Sequence, residues 1–213
     1  MTVNYEDYSN LFSNYKWSIH EEEKPSWDYL RSYLKSGCVF FDIGCQRGIY
    51  TKGVLDLLNE NCEIHSFDVL AHPIMVNIHE ENKNVTFNNT AVGNGKEHEC
   101  VIDFNTDTKV KSTTISLDEY VAEKNIKNID FIKIDVDGLQ NVIIDGSDYI
   151  LKNMSPILVI EMNSNFGYHV LKSDQYFNNV SDENDLELSE KLKSYGYTSF
   201  AVRNGSNVFY RKD

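Results

Sequence analysis

Three groups of residues in this 213-residue chain have the types and the spacing to do chemistry. The first is Asp42-Ile43-Gly44-Cys45-Gln46-Arg47-Gly48, where the apolar run Val39-Phe40-Phe41 gives way to helical periodicity. A strand that turns into a helix through glycine can offer its backbone to a ligand. Gly44 has no Cβ to hold the ligand off, and Gly48 permits close helix–strand packing. Asp42, Gly44, Gln46 and Gly48 are therefore the expected cofactor-binding positions of this turn. The spacing is not the dinucleotide G-x-G-x-x-G, because Gln46 and Arg47 interrupt it, and this disfavours a nicotinamide enzyme.

The second group is a single residue, Asp68, which ends the strand Cys62–Asp68 twenty positions after Gly48. A carboxylate there can accept both hydroxyls of a ribose, so Asp68 joins the cofactor set. The third group is Ile132-Lys133-Ile134-Asp135-Val136-Asp137-Gly138, with Glu161 and Asn163 ending the next apolar run, Ser155–Asn163. Asp135 and Asp137, with Glu161 and Asn163, are then expected at the same sheet edge as Asp42 and Asp68. Acids converging on one edge cost stability unless something is bound there. Asp137 also suits a helix N-cap. Asp135 is the first candidate for a base that takes a proton from an acceptor, and His169 is the second, in a loop with Phe166, Tyr168, Tyr176 and Phe177. Asp135, Glu161 and Asn163 also offer the hard oxygen ligands that suit magnesium.

These groups need a scaffold that brings strand ends together. Apolar runs at 39–41, 62–68 and 84–92 alternate with helical stretches from about Gln46 and over Pro73–Glu81, which is the doubly wound α/β pattern. Further along, Glu97–Phe104 reads as an extra strand, and Ser116-Leu117-Asp118-Glu119 matches a capping box opening a helix to about Glu123. Asp130–Asp137 is the next strand, followed by one helix with Leu139, Val142, Ile143 and Ile150 on a face. A last helix carries Leu188, Leu192 and Tyr195, and residues 197–213 form a hairpin turning at Asn204-Gly205. Residues 1–36 are expected to be a helical extension, with Trp27, Tyr29, Leu30, Tyr33 and Leu34 on one face, and residues 37–213 the main domain.

The net charge of −13 disfavours nucleic acid and anionic membrane as partners. Cys38, Cys45, Cys62 and Cys100 show no metal-binding spacing and are expected as free thiols of a reducing compartment. The start MTVNYEDYSN has no signal-peptide character, and no apolar run approaches the roughly 20 residues of a membrane span, so a cytoplasmic protein is expected.

The segment VFFDIGCQRGIYT, Val39 to Thr51, resembles the opening of FkbM-family methyltransferases. So do TTISLDEY, Thr113 to Tyr120, and the later IDFIKIDVDGLQNVIIDGS and PILVIEMN. The resemblance runs from about Cys38 to Asp213 and is weakest over His72–Phe104. It implies a Rossmann-like class I methyltransferase fold: a mostly parallel twisted sheet, helices on both faces and a C-terminal antiparallel hairpin. It also implies S-adenosylmethionine as methyl donor and O-methylation of a sugar or small hydroxylated metabolite. Departures are Asp137 and Gln140 where the family carries glutamates, and Val69 after Asp68 where Phe-Glu-Pro is usual. By analogy of fold, catechol-type O-methyltransferases place magnesium at the ends of the same two strands. The competing reading is a protein that keeps the fold and the ligand without catalysis. An adenine N6-methyltransferase is excluded, since Asp135-Val136-Asp137-Gly138 stands where an Asn/Asp-Pro-Pro-Tyr motif belongs.

Overall fold

The computed structural model describes residues 24–103, 108–136, 138–162, 183–203 and 207–212. Its centre is a seven-stranded sheet. The strands in question are β1 (Cys38–Ile43), β2 (Cys62–Phe67), β3 (Val85–Asn88), β8 (Phe131–Ile134), β9 (Ile157–Glu161), β10 (Tyr197–Arg203) and β11 (Asn207–Lys212). Their order across the sheet is β10-β11-β9-β8-β1-β2-β3. From β9 to β3 all pairings are parallel; β11 runs antiparallel to both β9 and β10. The chain builds outward from β1 to β3, then returns to β8 on the other side of β1. In open α/β sheets such a reversal is where a crevice forms, here at the carboxyl ends of β1 and β8.

Helices cover both faces because each strand alternates its apolar residues between two cores. One core joins Phe41, Ile43, Ile132, Ile134, Leu158 and Ile160 to the helices α4 (Leu117–Lys124), α5 (Gln140–Asp145), α6 (Asp148–Asn153) and α7 (Glu183–Ser194). The other joins Phe40, Ile64, Phe131 and Val159 to α1 (Lys24–Leu30), α2 (Ile49–Leu57) and α3 (Pro73–Glu81). The first of these helices is short, but Trp27, Leu30 and Leu34 are all buried. A Cβ on Gly53 of α2 would lie 2.7 Å from the Trp27 ring, so the glycine makes room for the indole. The four cysteines are free and buried.

Three expectations change. The apolar run 84–92 is two strands, not one: β3 ends at Asn88, and β4 (Val92–Gly93) pairs instead with β7 (Ile115–Ser116). Between them the Asn89 side-chain amide donates to the carbonyls of Asp68 and Val69 and turns the chain. The stretch after β8 is two short helices. A Cβ on Gly146 at their junction would collide with the Gly93 carbonyl, so the chain bends where it touches β4. The carboxylate of Asp118 then caps the second helix by accepting from the backbone N–H groups of Tyr149 and Ile150. Finally, the extra strand β5 (Glu97–Asp103) has an unforeseen antiparallel partner, β6 (Thr108–Thr113).

The candidate active site at the carboxyl edge of the sheet

The glycine turn after β1 is bound to the end of β2. The N–H groups of Gly44 and Cys45 both donate to the Phe67 carbonyl, at 2.9 and 3.1 Å. One residue on, the Asp68 carboxylate accepts from the Gln46 N–H through Oδ2 and from the Leu70 N–H through Oδ1, both at 2.8 Å. Asp68 therefore holds the turn in shape and keeps further lone pairs on each oxygen. Burial pushes its carboxyl above the ordinary value, against those two hydrogen bonds, with Asp42 and Asp135 adding to the rise. Gln46 takes a left-handed φ of 43°, and Gly44 and Gly48 take 79° and 74°.

The structure supplies its own reason for each glycine. A Cβ on Gly44 would collide with the backbone carbonyl oxygen of Asp135, so the turn must be glycine for β1 and β8 to end side by side. Gly48 caps α2 at its N-terminus. A Cβ there would sit 2.6 Å from Met75 Sδ and 3.0 Å from Ile78 Cδ1, so its close neighbour is the helix α3 rather than a strand.

Asp42 is 1% exposed. Its Oδ2 accepts from the Thr51 N–H at 3.0 Å and the Thr51 hydroxyl at 2.7 Å. Its Oδ1 is buried with no hydrogen-bond partner. Burial pushes this carboxyl up; Lys133 and Thr51 oppose that, Asp135 adds to it, and the net direction is upward. A buried carboxyl oxygen without a partner is an uncommon feature that calls for an explanation.

On the adjoining strand, Asp135 directly follows β8, and its N–H donates to the Ile43 carbonyl at 2.9 Å. Its side chain is 36% exposed. Burial raises its carboxyl, but the charge of Lys133 and hydrogen bonds with Glu161 and Lys133 overcome this and hold it below the ordinary range. Asp135 is thus favoured in its ionised form, beside Glu161 at the ends of two neighbouring strands. The Glu161 carbonyl accepts from the Gln140 side chain at 3.1 Å.

The structure brings Asp42, Gly44, Gln46, Gly48, Asp68, Asp135 and Glu161 to one edge of the sheet. His169, Asn163, Asp137 and the aromatic residues 166, 168, 176 and 177 lie outside the described residues. Three residues of this edge escaped the sequence reading: Lys133, Thr51 and Tyr50. The signal for Lys133 was present, as a charge inside the otherwise apolar strand Phe131–Ile134. Among the described residues, no group of three His, Cys, Asp or Glu side chains is arranged to hold a metal ion. The pair Asp135 and Glu161 does not fit magnesium, because the Lys133 ammonium already lies 2.5 Å from Asp135 Oδ2. A separate cavity of about 360 Å³, bordered by Tyr33, Lys35, Cys38, Asp130 and Ser155, opens at the opposite edge, away from these carboxylates.

Strand order, helices on both faces and an antiparallel terminal hairpin define the fold of class I S-adenosylmethionine-dependent methyltransferases. The sequence profile of the methyltransferase FkbM domain matches residues 60–199, and the chain belongs to this family. The match begins after the glycine turn at 44–48. No curated protein sequence matches the chain. Among solved structures it resembles methyltransferase FkbM from Methylobacillus flagellatus KT, with 15% identity and a TM-score of 0.57 over 84% of this chain. The chain covers 45% of that structure, less than half its length. Aeropyrum pernix fibrillarin, crystallised with natively bound S-adenosyl-L-methionine, has 9% identity and a TM-score of 0.57 over 88% of this chain and 73% of its own. Precorrin-6y C5,15-methyltransferase from Geobacter metallireducens GS-15 has 14% identity and a TM-score of 0.52 over 96% and 95%. At these identities the likeness is one of fold. Among the described residues, no helix is long and apolar enough to cross a membrane.

Proposed function

We propose that this chain transfers the methyl group of S-adenosylmethionine to a hydroxyl oxygen of a sugar or other small hydroxylated metabolite. The observation that carries the reading is the buried, unpartnered Oδ1 of Asp42 one strand from Asp68, under the same glycine turn. An amino-acid ammonium or a water it holds would satisfy Asp42, and a ribose would use the free lone pairs of Asp68. Gly44, Gln46 and Gly48 shape the turn over which the cofactor would lie. When bound, the cofactor supplies an electrophilic methyl group on sulfur. The rest of the work is orientation of the acceptor and removal of its proton. Asp135, held ionised, is the base closest to the crevice between β1 and β8, and Glu161 is joined to it. His169, outside the described residues, is a second candidate.

The test is calorimetric titration of S-adenosylhomocysteine into the wild type and Asp68→Ala. Micromolar binding that the substitution weakens at least about tenfold supports the cofactor site. A folded wild type that binds nothing sinks the reading and leaves a non-catalytic member of the fold. With binding in hand, glycans and small hydroxylated metabolites are screened as acceptors. Turnover by Asp135→Ala would remove Asp135 as the base.

A further inference from the structure

The carboxylates of this edge already surround a cation. Lys133 lies within β8 with its side chain 2% exposed. Its Nζ donates to Asp135 Oδ2 at 2.5 Å and sits 4.4 Å from the centre of the Tyr50 ring on α2, within cation–π range. Asp42 is its register partner on β1, and Glu161 is hydrogen-bonded to the same Asp135. Burying a lysine ammonium costs several kcal/mol unless nearby negative charge offsets it. Asp135 is that offset, by direct contact, with Asp42 as the neighbour across the strand pair. Two strand-end carboxyl groups with no ammonium bound to either would be the kind of oxygen site a divalent ion seeks.

We propose that Lys133 is the built-in counter-cation of this edge and a positioning residue for the reaction. Its ammonium stands where a divalent ion would otherwise engage Asp135 and Glu161, and it holds Asp135 toward the acceptor without metal. The part played in methyl transfer rests on the function proposed above; the exclusion of metal by Lys133 does not.

The experiment is Mn²⁺ binding by electron paramagnetic resonance on the full chain, comparing the wild type with Lys133→Met, Lys133→Gln and Lys133→Arg. Circular dichroism checks folding, and S-adenosylhomocysteine calorimetry is run on the same samples. The Met and Gln variants should bind Mn²⁺ at least about tenfold tighter than the wild type, and adding Asp135→Asn should abolish the gain. The Arg variant, which keeps the charge, should behave as the wild type. Folded Met and Gln variants that bind no more Mn²⁺ than the wild type would overturn the proposal. If neither variant folds, the wild type decides: Mn²⁺ binding that Asp135→Asn removes overturns the proposal, and no such binding supports it. Failure of the wild type to bind S-adenosylhomocysteine would sink the methyltransferase reading and leave the Mn²⁺ comparison intact.

Discussion

Asp42 carries a conflict that a bound donor would relieve. One of its oxygens is served by Thr51, and the other is buried without a partner. Because burial raises its carboxyl in the folded state, the native protein holds that proton more tightly than the unfolded chain. Stability is therefore lost as pH rises from the unfolded value, about 3.9, through the raised native value, and the loss persists at neutral pH. Asp42→Asn keeps an oxygen for Thr51 and removes the charge. Its unfolding temperature should exceed the wild type's at pH 7 by about 2–4 °C, the shift that 1 kcal/mol gives in a chain of this size. The gain should vanish toward pH 4, and S-adenosylhomocysteine affinity should fall at least about tenfold. Thermal scans at pH 4, 5 and 7 with calorimetry check this; a lower unfolding temperature at pH 7 would refute it. A more stable protein with a weaker site is the expected signature of a functional residue.

At the level of elements, the turn after β1 has the least tolerance. Gly44→Ala sets a left-handed backbone against a collision with the Asp135 carbonyl. It should cost about 3 kcal/mol or more in urea unfolding, beyond the usual range for a point substitution. A loss under about 1 kcal/mol would mean that β1 and β8 can part there without penalty. The helix α4 offers a contrast. Ser116 Oγ accepts from the Glu119 N–H at 3.2 Å, the N-cap half of the expected capping box, and donates to the Glu119 carboxylate at 3.0 Å. Ser116→Ala should cost only about 1 kcal/mol, because one cap is lost and no backbone moves. Asp118, beside it in the motif shared with the family, caps α6 instead of reaching the strand-end site.

At the scale of the whole molecule, charge and length set the expectations. A net charge of −13 gives a field that opposes polyanions. Fluorescence anisotropy with a labelled RNA or DNA duplex at 0.1 M salt should show no binding, which separates this chain from methyltransferases that modify nucleic acid. Salt-sensitive submicromolar binding would point to a local basic groove and a different acceptor. Since the chain covers 45% of the FkbM structure it resembles, acceptor recognition is proposed for the residues present here and not for a longer protein.

What the sequence determined by itself is what depends on neighbours along the chain. Periodicity marked α3 at Pro73–Glu81 and the terminal hairpin, the N-cap serine marked α4, and glycines marked the turn after β1. What only the tertiary structure decided depends on distant segments meeting. The Gly93 carbonyl bends the chain at Gly146, and β7 draws β4 away from the main sheet. The same holds for the chemistry. Convergent acids were legible in the sequence as charge that something must offset. Only the fold shows the Lys133 ammonium beside Asp135 and under a ring from α2. Coulomb energy depends on distance in space, and that distance exists only once β1, β8 and β9 lie side by side.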